Sequence, residues 1–145
     1  MEYQLKGGYY FVRIDRGEEI VAGITALCEK EGISAGLITG IGAVNHVQMG
    51  LFRTAEKRYI SKEFTGDFEI VSLTGNITQM DGKPYLHLHI AVADESLAVR
   101  GGHLNKAVVS ATGELVIVPA DDSSVGRAFS EDIGLNLLQF TWGEQ

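Results

Sequence analysis

One strand-like segment, residues 85–93, constrains the fold more than any other part of the sequence. Side chains alternate between the two faces of a β-strand. One face of this segment is uniformly aliphatic and consists of Leu86, Leu88, Ile90 and Val92. The other face carries Tyr85, His87, His89, Ala91 and Ala93. The aliphatic face requires a core, so the histidine face is expected to look toward solvent, a cleft or another subunit.

A single segment, residues 18–31, has a clear helical pattern. Its apolar positions recur at helical spacing and are Ile20, Ile24, Leu27 and Cys28. Glu18 and Glu19 fall in the expected first turn, where acidic side chains suit the helix dipole. Gly32 follows the last apolar position and is a natural helix terminator. Cys28 lies on the apolar stripe, which indicates a buried small hydrophobe.

Most of the remaining chain is predicted to be β-strand. The strand-like segments are residues 9–14, 36–44, 47–52, 59–64, 69–78, 85–93, a short one near 99, 108–118 and 135–142. The turn signal at residues 80–84 joins two of them in a hairpin, and residues 120–132 are predicted to be a polar loop with room for a short helical turn. The sequence predicts a single α+β domain over residues 1–145. Its sheet is expected to be mostly antiparallel and strongly twisted, with one main helix packed on one face.

Composition narrows the classes of partner. The formal net charge of −7 and a pI of about 5.0 disfavour direct contact with nucleic acid or an anionic membrane. The one cysteine excludes an internal disulfide and fits a reducing compartment. The sequence shows no secretory signal and no apolar run near the ~20 residues that span a bilayer. We therefore expect a cytoplasmic protein.

The spacing of the histidines predicts a metal site. His87 and His89 project from one strand face with origins ~7 Å apart, so two imidazoles can converge on one ion at bond lengths of ~2.0–2.1 Å. The third ligand is expected to be His103, because Gly101 and Gly102 before it let the backbone turn sharply. Three neutral imidazoles with an open fourth position suit zinc, with nickel, copper or iron as alternatives.

Two other interpretations of these residues stay open. His87 and His89 can be hydrogen-bonded residues of a polar strand face that bind no metal. A cupin also carries His-x-His, but its glutamate ligand has no good counterpart here, because Glu95 lies six positions after His89 in a predicted turn. His46 has no partner in the sequence and is expected to be a surface or loop residue.

Glu69 is the candidate catalytic residue. It lies at the start of a predicted strand, where it is expected to share a face with Val71 and Leu73. A carboxylate there could orient a ligand histidine or act as general base for a metal-bound water. The alternative is an exposed carboxylate at a strand end.

Several motifs in fixed order resemble the plant and prokaryote conserved (PPC) domain. They are residues 13–20 (RIDRGEEI), 40–44 (GIGAV), 68–76 (FEIVSLTGN), 81–84 (DGKP), 87–89 (HLH) and 101–104 (GGHL). The resemblance covers most of the chain. It implies a mixed α/β domain with an antiparallel-rich sheet that assembles as a homotrimer. It also implies metal binding through His87, His89 and His103, since the matching histidines hold a metal in some prokaryotic relatives.

The resemblance leaves two classes of function. One is a stand-alone domain with a three-histidine, zinc-type site that serves a ligand sensor or a metalloenzyme and holds a small molecule on the metal. The other is a transcription-related DNA- or protein-binding module, as in plant members. Those members have an AT-hook, which this sequence lacks, and their partner-binding hexapeptide GRFEIL differs here at Asp67 and Val71. The acidic charge and the missing AT-hook make direct DNA binding doubtful, and the change from arginine to Asp67 makes transfer of the plant members' partner binding doubtful.

Overall fold

Three very long strands dominate the computed structural model, which describes residues 1–120 and 124–140. The strands are β1 (Glu2–Lys6), β2 (Tyr9–Asp15), β3 (Gly36–Arg53), β4 (Arg58–Met80), β5 (Lys83–Ala93), β6 (Val99–Pro119), β7 (Gly126–Ser130) and β8 (Leu135–Gln139). One α-helix, α1 (Ile20–Glu31), follows β2, and a short 3-10 helix, Thr54–Glu56, joins β3 to β4. The mostly antiparallel sheet and the single helix confirm the predicted α+β class.

The long strands exist because segments predicted as separate strands are continuous. β3 joins the predicted strands 36–44 and 47–52, and β4 joins 59–64 and 69–78. Both run through glycines, and breaks in the register between them lie at Gly40–Gly42 and Val44–His46. An irregular register bends a strand without ending it. The turn-forming residues between the predicted strands therefore lie at bends within one long strand and not at strand ends.

The strand pairings close on themselves. The order is β1-β2-β6-β3-β4-β7-β8, and β5 pairs with both β4 and β6. The strands β6, β3, β4 and β5 therefore form a ring of antiparallel neighbours. β7 joins β4 through a parallel pairing of Gln79 with Gly126 and pairs with β8 in a hairpin. This hairpin lies within and after the predicted loop of residues 120–132, which is therefore partly strand.

The helix is fixed to the sheet by one carboxylate. α1 begins at Ile20, two residues later than predicted, because Glu19 is its N-cap. The Glu19 carboxylate accepts from the backbone N–H groups of Val21 at 3.0 Å and Ala22 at 2.7 Å, which satisfies donors left free at the helix start. It also accepts from Ala107 N–H of β6 at 2.9 Å. Gly32 ends the helix in the left-handed conformation at φ 68°, as predicted.

The core lies between α1 and the inner face of the ring. α1 buries Ile20, Ile24, Leu27 and Cys28 and packs against β5 and β6. Burial raises the pKa of the Cys28 thiol to about 11, consistent with a small hydrophobe and not a nucleophile. On β5, Leu88, Ile90 and Val92 are buried, which confirms the predicted aliphatic face.

Parts of two predicted segments lie outside the described residues. β8 ends at Gln139, one residue before the last described position, and the part of the predicted strand from residue 141 onward is outside the described residues. Residues 121–123 of the predicted loop also lie outside them. Among the described residues, no helix has the length and apolar character needed to cross a bilayer.

Candidate metal centre

The structure brings His87, His89 and His103 together (the histidine cluster). His87 and His89 lie on the outward face of β5, and His103 lies on β6 directly opposite His89. The ring centroids are 5.3 Å apart for His87 and His89, 5.3 Å for His87 and His103, and 5.7 Å for His89 and His103. Strand pairing, and not a loop, therefore sets the position of all three side chains.

The two glycines before His103 do not make the sharp backbone turn that the sequence predicted. Neither Gly101 nor Gly102 has a positive φ, and both lie inside β6, so the backbone does not turn sharply there. A Cβ on Gly101 would lie 2.7 Å from the carbonyl oxygen of Ile90, and one on Gly102 would lie 2.6 Å from that of Gly50. The absence of a side chain lets β6 approach β5 and β3 closely, which places the His103 ring beside the others.

The donor atoms of the histidine cluster fit a transition metal. One nitrogen from each ring can be chosen so that all three lie within 4.8 Å of one another. Bonds of ~2.0–2.1 Å at tetrahedral angles need nitrogens about 3.3 Å apart, so small side-chain rotations would bring them onto one ion. The donor set is three imidazoles, a set that zinc, nickel, copper and iron accept.

The surroundings of His87 and His103 favour their neutral forms. Burial lowers the pKa of His87, and the positive charge of Arg127 and the proximity of His89 lower it further. Burial also lowers the pKa of His103, with smaller effects from His87 and His89. A neutral imidazole is the form that binds a metal, so the lowered pKa values of His87 and His103 favour the form of these two residues that can bind one.

A cavity of about 800 Å³ opens onto the histidine cluster. Its apolar wall consists of Leu51, Phe52, Leu135, Leu137 and Leu138. Its polar wall adds Tyr59, Tyr85, Asn105, Arg127 and Asn136 to the three histidines. A pocket that is largely apolar with a few convergent polar groups is typical of a small-molecule site.

Arg127 is the residue of this cavity that the sequence analysis missed. Its Nε donates to Thr78 Oγ1 at 2.8 Å, one terminal nitrogen to the Asn136 carbonyl at 2.9 Å and the other to Asn76 Oδ1 at 2.9 Å. The guanidinium also lies 4.7 Å from the centroid of the Tyr85 ring. Arg127 falls in the segment predicted as a polar loop, and the outward position of Tyr85 was the only sequence signal on the same face.

Tyr59 supports the other side of the histidine cluster. Its hydroxyl donates to Asn105 Oδ1 at 2.6 Å, and its ring meets the His103 ring edge to face with centroids 5.9 Å apart. Burial raises the pKa of Tyr59, so its hydroxyl keeps its proton.

The structure places Glu69 away from the histidine cluster. Glu69 is exposed, pairs with Ala43 of β3 and Ala93 of β5, and lines a different cavity. Val71 is the extra residue of a β-bulge, which leaves it 52% exposed while Leu73 is 1% exposed. The predicted common face for Glu69, Val71 and Leu73 is therefore wrong, because a bulge shifts the alternation by one residue. Within one chain, Glu69 does not touch the ligand histidines.

His46 also lies outside the histidine cluster. It is on β3, half-exposed, with Nε2 3.8 Å from a carboxylate oxygen of Glu63. The prediction that it is a surface residue agrees with this position.

Comparison with known proteins finds a family and several similar solved structures. The model of the Plants and Prokaryotes Conserved (PCC) domain family matches residues 1–121. A crystal structure of a candidate DNA-binding protein from Bacteroides thetaiotaomicron is 37% identical, with 96% of each chain covered and a TM-score of 0.92. A metal-containing protein from Archaeoglobus fulgidus is 34% identical over 96% of this chain and 97% of the other, with a TM-score of 0.87. A PPC protein from Pyrococcus horikoshii is 31% identical over 97% and 96%, with a TM-score of 0.86. No curated protein matches the chain significantly.

Proposed function

Because the chain belongs to the Plants and Prokaryotes Conserved domain family, we propose that it is a metal-binding domain of that family. The histidine cluster would hold one divalent transition metal ion, with zinc as the first choice. The observation that carries this proposal is the convergence of three imidazole nitrogens to within 4.8 Å on adjacent strands. The metal-containing relative from Archaeoglobus fulgidus supports it.

We propose further that the metal serves a small-molecule site and does not merely stabilise the fold. Three protein ligands leave a tetrahedral ion one position open, at which it supplies a Lewis acid. The open side of the histidine cluster faces the cavity of about 800 Å³ and not the core. A structural zinc site is closed by a fourth protein ligand, and no cysteine or carboxylate among the described residues joins the histidine cluster. Such a site suits a ligand sensor or a metalloenzyme.

Elemental analysis of purified, tag-free protein tests the metal site. Wild-type protein supplied with zinc should carry about one ion per chain, and His87→Ala and His103→Ala should each lose most of it, because two imidazoles hold zinc far more weakly than three. His46→Ala is the matched control, since it removes a histidine outside the histidine cluster. Metal-free wild type after zinc loading, or unchanged content in the His87 variant, would overturn the proposal.

We also propose that the domain assembles as a homotrimer, as the family resemblance implies. Supporting this, the outer face of β2, β6 and β3 leaves large apolar side chains uncovered. Phe11 is 52% exposed, Leu37 62% and Ile41 60%. Phe11 pairs with Val116 across β2 and β6, and Leu37 pairs with Val118 across β3 and β6. An exposed apolar face of this kind is typical of a protein–protein interface.

A second candidate is a regulatory module that binds DNA, and one observation favours it. The relative from Bacteroides thetaiotaomicron is described as a candidate DNA-binding protein. The net charge of −7 opposes this reading, because DNA affinity comes largely from cationic contacts with phosphate. Binding to A·T-rich duplex that weakens steeply with added salt would favour it. If the protein does not retard this duplex in a gel at low salt, the DNA-binding function is excluded and metal binding remains the proposed function.

A further inference from the structure

We propose that the cavity beside the histidine cluster binds a small organic acid, with Arg127 as the anchor for its carboxylate. The ligand class is a short 2-hydroxy or 2-oxo monocarboxylate with an aliphatic tail. Its hydroxyl or keto oxygen would face the three imidazoles. This inference rests on the proposed metal site for that second contact, and on Arg127 and the cavity wall for the rest.

Among the described residues, Arg127 has no acidic partner, unlike most other arginines of the chain. Arg13, Arg53, Arg58 and Arg100 all form ion pairs with aspartate or glutamate. Within residues 1–120 and 124–140, no carboxylate comes within 4.0 Å of the Arg127 guanidinium, although the chain has an excess of acids and a net charge of −7. A half-buried cation without a counter-charge is costly. A bound anion would supply that counter-charge.

The guanidinium is held ready for such a ligand. Its hydrogen bonds to Thr78, the Asn136 carbonyl and Asn76 use one N–H on each of its three nitrogens. A guanidinium has five N–H groups, so one remains on each terminal nitrogen. Stacking against Tyr85 fixes the plane of the group. Two free donors on a fixed planar cation suit the two oxygens of a carboxylate.

The separation from the histidine cluster sets the size of the ligand. Tyr85, on which Arg127 stacks, and His87 are alternate residues on one face of β5, so their origins are ~7 Å apart. Asn76, an acceptor for Arg127, is the register partner of His87. A short acid with oxygen atoms on two adjacent carbons is therefore long enough to contact both Arg127 and the histidine cluster.

The remaining wall selects against a purely inorganic anion. Leu51, Phe52, Leu135, Leu137 and Leu138 form the side of the cavity that carries no charge. Phosphate or sulfate would leave this surface in contact with water, whereas an aliphatic tail of three to four carbons would cover it and bury apolar area on both sides. The combination of one cation, three imidazoles and an aliphatic wall therefore favours a small organic monocarboxylate.

Calorimetric titration of zinc-loaded protein with 2-hydroxy-3-methylbutanoate and with its neutral amide tests the inference. The acid should bind at least about tenfold more tightly than the amide, because only the acid carries the charge that Arg127 recognises. Arg127→Gln should weaken the acid about thirtyfold or more and leave zinc content at the wild-type level. Arg16→Gln is the matched control, since Arg16 is an exposed arginine outside the cavity.

Equal binding of acid and amide by wild-type protein would overturn the inference, and so would unchanged acid affinity in Arg127→Gln. Tighter binding of inorganic phosphate than of the acid would also overturn it. If Arg127→Gln does not fold, the acid–amide comparison decides on wild-type protein alone. The zinc content shows independently whether the metal site exists. If it does not, the acid and amide titrations repeated on metal-free protein test the contribution of Arg127 alone.

Discussion

His89 and His103 stand opposite each other as register partners on the antiparallel strands β5 and β6, with their rings 5.7 Å apart and nearly perpendicular at 87°. Directly opposed residues of an antiparallel pair have their Cβ atoms within about 5.5 Å, so this pairing alone brings the rings together. His87 follows on the same face of β5. The geometry of the histidine cluster is thus a property of the sheet register, and a local change in strand spacing should disturb metal binding.

Gly102→Ala should disrupt the histidine cluster without changing a ligand. The new Cβ would lie 2.6 Å from the Gly50 carbonyl oxygen, so β6 must move away from β3 at the residue next to His103. We expect a loss of about 1–3 kcal/mol in the free energy of unfolding, as for other overpacked sites, together with weaker zinc binding. Chemical denaturation and zinc titration would measure the two effects.

Gly126→Ala provides the control for that experiment. No atom of the described residues lies within 4 Å of a Cβ at Gly126, and its φ is not positive. Its stability and zinc affinity should stay close to wild type. If Gly102→Ala behaves like Gly126→Ala, the close approach of β6 to β3 does not position His103.

Metal-free protein should lose stability as the pH falls below the ordinary histidine pKa of 6.5. The pKa of His87 and that of His103 are lowered in the folded state, in both cases mainly by burial. Between the lowered and the ordinary pKa the unfolded chain binds more protons, so the free energy of unfolding rises with pH across that window and falls as acid is added. The midpoint of denaturation after chelation should therefore be lower at about pH 5.5 than at about pH 7.5. An unchanged slope in a His87→Gln, His103→Gln double variant would contradict this assignment.

Much of the fold and the histidine cluster could be predicted from the sequence, because local periodicity reports which side of an element is buried. Leu88, Ile90 and Val92 alternate with His87 and His89, and this alternation is enough to separate the core face from the site face. The apolar spacing of α1 and the terminator Gly32 likewise depend on neighbours within the chain. The family resemblance was confirmed by the match to residues 1–121.

The features that the sequence did not predict depend on contacts between distant segments. The bulge at Val71 inverts the alternation of β4, and no local pattern marks it. The role of Gly102 becomes visible only when Gly50 is placed against it. Arg127 reaches the cavity through β7, whose pairing with β4 involves a single register position, Gln79 with Gly126. Such pairings are set by tertiary packing, which a propensity argument does not include.

Glu69→Gln should leave zinc content and organic-acid binding unchanged. Glu69 pairs with Ala93, the last residue of β5, which lies four positions after His89, and Glu69 is exposed and lines a separate cavity. Its role as a general base stays a prediction that only an active protein can test. Loss of zinc in this variant would show that the carboxylate reaches a histidine in the assembled protein, which would connect Glu69 to the site through a neighbouring subunit.

Ile41→Lys should dissociate the proposed homotrimer. Ile41 lies on the outer face of β3, 60% exposed, and is the register partner of Glu114 beside the apolar residues of β2 and β6. A lysine there would place a charge inside the interface, where its desolvation is not compensated in full by one carboxylate. Light scattering should give a mass near the 15.7 kDa of one chain for the variant and about three times that value for wild type. Leu97→Lys is the control, because Leu97 is 79% exposed in the turn after β5 and away from that face, and it should keep the wild-type mass. A monomeric wild type, or an Ile41 variant that stays trimeric, would show that this face does not join the subunits.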